Sequence, residues 1–254
     1  MIKEMWLPNY NVRLKDKVDV VVIHAARQRN ARDLINLLEE RELSSHYVVD
    51  EAGEVFQLVP EACRAWHAGA GLWNGERDIN SNSIGIELCN GLFGEEPYSK
   101  KQMKALKELC LDIKDRYGIK ANNFIGHSDM APTRKIDPGT MFDWKDMAKD
   151  GIGLWYEMKR NIDILPEDCG KVLEEIGYGV ENLEATEWAF LRHYNPELYF
   201  FMGGKKGSNE GSIKWVSLED NPLFLRTLCS VRDAFRKYRD KDVVGAFLKV
   251  ENER

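Results

Sequence analysis

The sequence predicts an α/β region built on a mixed central β-sheet flanked by helices, followed by a small all-α region of three helices. Two patterns carry this. Short β-branched runs alternate with amphipathic stretches up to about residue 153, with one hairpin signal among them. From Pro166 onward helical periodicity continues with almost no strand signal. The boundary falls near residues 154–162, giving an α/β region over 1–155 and a helical region over 162–254.

The elements follow in order. "VDVVVIH", from Val18 to His24, is a β-branched run, interrupted by Asp19 alone and ending in a histidine, the pattern of a buried central strand. "NARDLINLLEERE" places Leu34, Ile35, Leu37 and Leu38 on one helical face, with Asn30 as cap. "SSHYVVDEAGEVFQLVP" holds two β-rich runs around a glycine turn and reads as a hairpin. "SIGIELCN" is a short buried strand. "SKKQMKALKELCLDIKDRYG" is an amphipathic helix capped by Ser99 and ended by Gly118. "NNFIGH" is a strand that again ends in a histidine, and "WKDMAKDGIG" is a short helix. Beyond the boundary, "PEDCGKVLEEIGYG", "NLEATEWAFLRHY" and "NPLFLRTLCSVRDAFRKYRDK" read as three helices, with "FMGGKKGSNEGS" as a glycine-rich surface loop.

Composition narrows the function classes. The 254 residues are 43% hydrophobic, enough for a real core. The net charge of -6 argues against a general nucleic-acid binder, so no nucleic-acid partner is expected. Five scattered cysteines contain no CxxC pair, which favours free buried thiols in a reducing compartment. "MIKEMWLPNYNVRLKDK" lacks the apolar run of a secretory signal, and no stretch suits a membrane anchor. The expected location is the cytoplasm. The sequence specifies no oligomeric state.

The chemistry-bearing text lies at two strand ends. His24 and His127 each close a predicted strand, and strand ends of a parallel sheet converge on one edge. "KIDPG" adds Asp137, held extended or in a turn by Pro138. Taken singly, each histidine reads more readily as a hydrogen-bonded polar residue than as a ligand. Together, a His/His/Asp set leaves a fourth tetrahedral position for water, the arrangement of a catalytic Zn2+ site.

"SSHYVVDEAGEVFQLVPE", "RAWHAG", "NSIGIELCN" and "GHSDMAPTRKIDPG", in that order between the two histidines' regions, resemble the zinc-dependent N-acetylmuramoyl-L-alanine amidases. That family includes phage lysozyme-amidases and peptidoglycan recognition proteins. The resemblance spans roughly residues 7–155. "VLEEIGYGV" and "AFLRHYNPELY" look like the helical peptidoglycan-binding module appended to one branch of the family. The resemblance implies that His24, His127 and Asp137 bind zinc. It implies that Glu87 handles the protons of the attacking water and that Lys135 stands beside the scissile carbonyl. Amide hydrolysis needs each of these parts: a nucleophile at neutral pH, a proton carrier and positive charge at the oxyanion.

Trp66 and His67 of "AWHAG" are expected to line the substrate groove, with a buried tryptophan and a hydrogen-bonded imidazole as the alternative. Arg77 is the candidate for a stem-peptide carboxylate. "GERDINSNSIGIE" carries one residue more between it and the strand than the family pattern leads us to expect. Asp129 is a candidate to orient His127. His46 and Cys89 are expected to be structural, and His193 to have no catalytic part. The implied reaction is hydrolysis of the amide between the lactyl group of N-acetylmuramic acid and L-alanine of the stem peptide. The 1,6-anhydromuramyl peptide of wall turnover is the first substrate expected, and intact peptidoglycan the second. A non-catalytic peptidoglycan receptor is the alternative of another class; such relatives lose a zinc ligand, whereas all three stand here.

Overall fold

A computed structural model describes residues 2–204 and 216–252. Most of the predicted glycine-rich loop, from residue 205 on, lies outside the described residues. Among the described residues eight strands form: β1 (Ile2–Glu4), β2 (Tyr10–Val12), β3 (Val20–Ala26), β4 (Tyr47–Val49), β5 (Val55–Gln57), β6 (Cys63–Ala65), β7 (Ser83–Cys89) and β8 (Phe124–Gly126). Six of them make one sheet in the order β1-β5-β4-β7-β3-β8, and β2 pairs antiparallel with β6. β3 runs parallel to both β7 and β8, and β4 parallel to β7. β4 and β5 are the expected hairpin. The sheet is therefore mixed, as the sequence predicts.

The helices flank it. α1 (Ala31–Glu40) starts at Asn30, whose side chain accepts from the Asp33 amide. α3 (Lys100–Tyr117) starts at Ser99, which accepts from the Gln102 amide, and stops at Gly118 with φ 64°, a left-handed conformation that glycine adopts without Cβ strain. Two four-residue helices, α2 (Ile79–Asn82) and α4 (His127–Met130), lie beside the sheet edge, and α5 (Trp144–Lys149) closes the region. β1, β2, β6 and α2 are not legible in the sequence. They are three or four residues long, and β1 and β2 are exposed throughout, so they carry no alternation of apolar and polar residues.

The helical region contains α6 (Cys169–Ile176), α7 (Leu183–Tyr194), α8 (Pro196–Phe201) and α9 (Pro222–Asn252). α8 adds to the three predicted helices. Pro196 ends α7 by lacking an amide donor, yet it suits the first turn of a new helix, and the Asn195 side chain caps that helix at the Leu198 amide.

The period-2 alternation of β3 decides what sits where. Val21 and Ile23 pack with Ile84, Ile86 and Leu88 of β7 against Leu106, Leu109, Cys110 and Ile113 of α3. Val20 and Val22 face the other way. They join Trp73, Ile125 and Met130 in one apolar cluster with Leu173, Phe190, Phe224 and Leu228 of the helical region. The helices thus cover part of the sheet with a continuous core. Ending the chain at residue 160 removes that cover. The shortened chain is expected to be insoluble or to lose its cooperative thermal transition, followed by circular dichroism; a soluble, cooperatively melting 1–160 chain would show that the α/β region stands alone.

Candidate active site

Register builds the site. In the parallel β3–β7 pair, His24 lies directly opposite Glu87. Parallel neighbours in register project to the same face, so both side chains continue the face carried by Val20 and Val22. In the β3–β8 pair, Ile23 lies opposite Gly126, which brings the next residue, His127, beside His24. β3 itself runs two residues past His24, whereas β8 ends at Gly126 and His127 opens α4.

Asp137 arrives from the loop after α4. Its carbonyl accepts from the Ser128 amide at 2.9 Å, and Tyr98 donates its hydroxyl to the Pro138 carbonyl at 2.7 Å. Two glycines make room for this loop. A Cβ on Gly126 would stand 2.7 Å from the Pro138 ring, and one on Gly94 would stand 1.9 Å from the Pro138 carbonyl oxygen. Gly94 also has φ 79°.

The three predicted ligands converge. His24 Nδ1 and His127 Nδ1 are 2.8 Å apart, and Asp137 Oδ2 lies 3.1 Å from His127 Nδ1 and 3.5 Å from His24 Nδ1. All three side chains are buried. The surrounding hydrogen bonds set the tautomers. His127 Nε2 must donate to the Ala68 carbonyl at 3.0 Å, which leaves Nδ1 bare. Ser83 donates its hydroxyl to the Ile79 carbonyl at 2.5 Å, so it accepts from His67 Nε2 at 3.2 Å. His67 Nδ1 then accepts from His24 Nε2 at 3.0 Å, and His24 Nδ1 is bare as well. Burial, with His127 alongside, lowers the His24 pKa to about 4 and keeps its ring neutral. Two lone pairs and a carboxylate oxygen thus face one point, and Asp137 Oδ1 is buried without a hydrogen-bond partner among the described residues. Neither imidazole can donate to the other through these atoms. The donor set fits a divalent cation.

Glu87 faces the same point. Its Oε1 is 4.0 Å from His24 Nδ1, and its Oε2 is buried with no partner among the described residues. Burial, reinforced by Asp137, pushes its pKa up to about 8, while Lys135 pulls the other way. Lys135 is half-buried and lines the same cleft of about 460 Å³ with Glu87, His67, His127 and Asp137. Leu34, Leu37 and Leu38 of α1 form an apolar wall opposite these polar groups.

His67 lines the cleft and also backs His24, so both expectations for it meet in one ring. Its position depends on Gly85 of "SIGIE", where a Cβ would stand 2.4 Å from the imidazole. Trp66 is half-buried and donates Nε1–H to Asn11 Oδ1 at 3.0 Å; it does not line the cleft. Arg77 stands apart. It is exposed, pairs with Glu181, and lines a neighbouring groove with Met130, Pro132 and Arg134. Asp129 is fully buried and holds the Gly126 amide; no hydrogen bond joins it to the His127 ring. His46 is buried and accepts from the Gly85 amide at 3.0 Å, and Cys89 packs with Leu34 and Leu38, both structural roles.

Sequence reasoning missed Ser83, Arg134, Arg27 and Arg41. Ser83 ends the hydrogen-bond chain behind His24. Arg134 donates to the Ala68 and Ala70 carbonyls, and a Cβ on Gly69 would stand 3.3 Å from its guanidinium. Arg27 and Arg41 line the cleft. Their partners are distant in sequence, and no local pattern marks them.

A buried His–His–Asp triad facing a glutamate in an open cleft is the donor set of a metal-assisted hydrolase. The comparisons with known proteins agree. The family model described as N-acetylmuramoyl-L-alanine amidase matches residues 14–140. N-acetylmuramoyl-L-alanine amidase AmiD of Escherichia coli (strain K12) is 36% identical over 213 residues, 72% of this chain and 77% of that protein. The 1,6-anhydro-N-acetylmuramyl-L-alanine amidase AmpD of Enterobacter cloacae is 44% identical over 102 residues, 40% of this chain and 54% of AmpD. The solved complex of E. coli AmiD with anhydro-N-acetylmuramic acid-L-Ala-D-gamma-Glu-L-Lys superposes with a TM-score of 0.70 at 29% identity, covering 87% of this chain and 90% of that one. The chain therefore belongs to the N-acetylmuramoyl-L-alanine amidase family. Among the described residues no helix is long and apolar enough to cross a membrane.

The loop that carries Asp137 can be tested without a metal. Gly94→Ala forces a Cβ into the Pro138 carbonyl at positive φ. It is expected to destabilise the fold by about 1–3 kcal/mol in urea unfolding; an unchanged midpoint would mean that the loop yields without cost.

Proposed function

We propose that this chain hydrolyses the amide between the lactyl group of 1,6-anhydro-N-acetylmuramic acid and L-alanine of the stem peptide, in muropeptide recycling. The observation that carries it is the convergence of two bare Nδ1 atoms and one carboxylate oxygen opposite a largely buried glutamate. His24, His127 and Asp137 would hold zinc. Zinc so held supplies the Lewis acidity that makes water nucleophilic at neutral pH.

The chain's own residues do the rest. Glu87, whose Oε2 has no hydrogen-bond partner among the described residues and whose pKa burial pushes up to about 8, takes a proton from the attacking water and passes it to the departing L-alanine nitrogen. Lys135 places positive charge where the carbonyl oxygen becomes negative. The leucine wall of α1 takes apolar parts of the substrate, while Arg27 and Arg41 suit the carboxylates of a stem peptide.

The substrate in the AmiD complex and the name of AmpD support the anhydro sugar. Intact peptidoglycan stays as the second substrate, because the name of AmiD, N-acetylmuramoyl-L-alanine amidase, carries no restriction to the anhydro sugar. Five free thiols, four of them buried, suit a reducing compartment and support the cytoplasm as the site of action.

Purified protein is expected to carry about one zinc per chain by elemental analysis, and His127→Ala to lose it; full activity in a metal-free protein would end this mechanism. Glu87→Gln should keep zinc and lower kcat by about 10²–10⁴-fold, and an unchanged rate would remove Glu87 from the proton transfer. Anhydromuropeptides and intact sacculi digested side by side, with products identified by mass spectrometry, test the substrate. Free stem peptide is expected from the anhydromuropeptide; release from sacculi alone would reverse the preference.

A further inference from the structure

The helical region reaches the ligand set through one buried carboxylate. Asp129 is 1% exposed. Its Oδ2 accepts from the Gly126 amide at 2.7 Å and from His193 Nδ1 at 2.8 Å. Its Oδ1 accepts from the Tyr178 hydroxyl at 2.8 Å. Gly126 and Asp129 bracket His127, so one side chain pins the main chain at the point where β8 turns into α4. The two groups that pin Asp129 in turn belong to the helical region.

Both are firmly seated. The His193 ring lies flat between Trp144, at 4.2 Å and 11°, and Tyr194, at 4.1 Å and 21°. The Tyr178 ring meets Trp73 edge-on at 5.1 Å, and only 3% of the residue is exposed. Neither makes a hydrogen bond to His24, His127 or Asp137. α4 is a single turn and cannot orient itself by its own hydrogen bonds. A buried carboxylate is also a costly way to fill space unless its hydrogen bonds define a geometry. Three donors from three separate segments define one here.

We propose that His193 and Tyr178 are positioning residues for the metal site. Acting through Asp129, they fix the angle at which His127 presents Nδ1. The helical region would then be a working part of the ligand scaffold in addition to any contact it makes with wall polymer. The inference rests on the reading of His127 as a zinc ligand.

The test uses the full chain with Tyr178→Phe and with His193→Phe, which keeps the stacked ring and removes the donor. His193→Asn restores a donor near Nδ1. Leu173→Ala, in the helical core, keeps the main-chain carbonyl that accepts from the Tyr178 amide and controls for lost stability. Zinc affinity is measured by competition with a chromophoric chelator, well below each variant's Tm, and the absorption spectrum is recorded after cobalt substitution. Tyr178→Phe and His193→Phe are expected to weaken zinc by about 10–100-fold and to alter the cobalt spectrum. His193→Asn should recover part of both, and Leu173→Ala should stay within about twofold of the parent. Parental affinity in both phenylalanine variants overturns the proposal, as does an equal loss in Leu173→Ala. Tyr178→Phe removes one oxygen atom and decides the matter if His193→Phe does not fold. A parent chain that takes up no zinc removes the metal reading itself and this proposal with it.

Discussion

The site depends on one constraint: three neighbouring parallel strands locked in register. β3 pairs with β7 along its whole length, and with β8 on the other side. A slip of one residue between β3 and β7 would turn either His24 or Glu87 to the opposite face. The register is held by burial, since Val21, Ile23, Ile84, Ile86 and Leu88 must all meet α3. The geometry needed for chemistry is thus a by-product of a hydrophobic pattern that has no freedom to shift.

A second layer sets protonation. The bare Nδ1 atoms are the consequence of what lies behind the rings: a carbonyl behind His127, and a chain from His67 through Ser83 to the Ile79 carbonyl behind His24. Each link has only one possible polarity, because carbonyls accept and cannot donate. Gly85 takes part by having no side chain, which lets His67 lie against β7. The same logic governs the ligand loop, where Gly94 and Gly126 yield space to the segment around Pro138.

The hydrophobic pattern made the main strands, α1, α3 and α7 legible, and it placed both histidines at one sheet edge. The motif text identified the family and singled out His24, His127, Asp137, Glu87 and Lys135, which the fold brings to one place. Less was legible around them. Arg77 reads in the sequence as a contact for a stem-peptide carboxylate, and in the structure it pairs with Glu181 along a separate groove. Arg27, Arg41 and Arg134 carry no signal, because a cation becomes a cleft residue only when distant segments fold around it. His193 reads as a residue without a part in the site, and its nearest polar partner is 64 residues away.

By itself, the sequence determined the α/β class, the helical region and the identity of the candidate ligands. These depend on local periodicity and on short contiguous motifs, which any stretch of chain displays before it folds. Only the tertiary structure decided that the helices share a core with the sheet, that His67 sets the tautomer of His24, and that Asp129 ties the ligand helix to Tyr178 and His193. Each of these joins segments far apart in the chain. Buried polar groups form such links only once water is gone, when an unmatched donor or acceptor becomes costly.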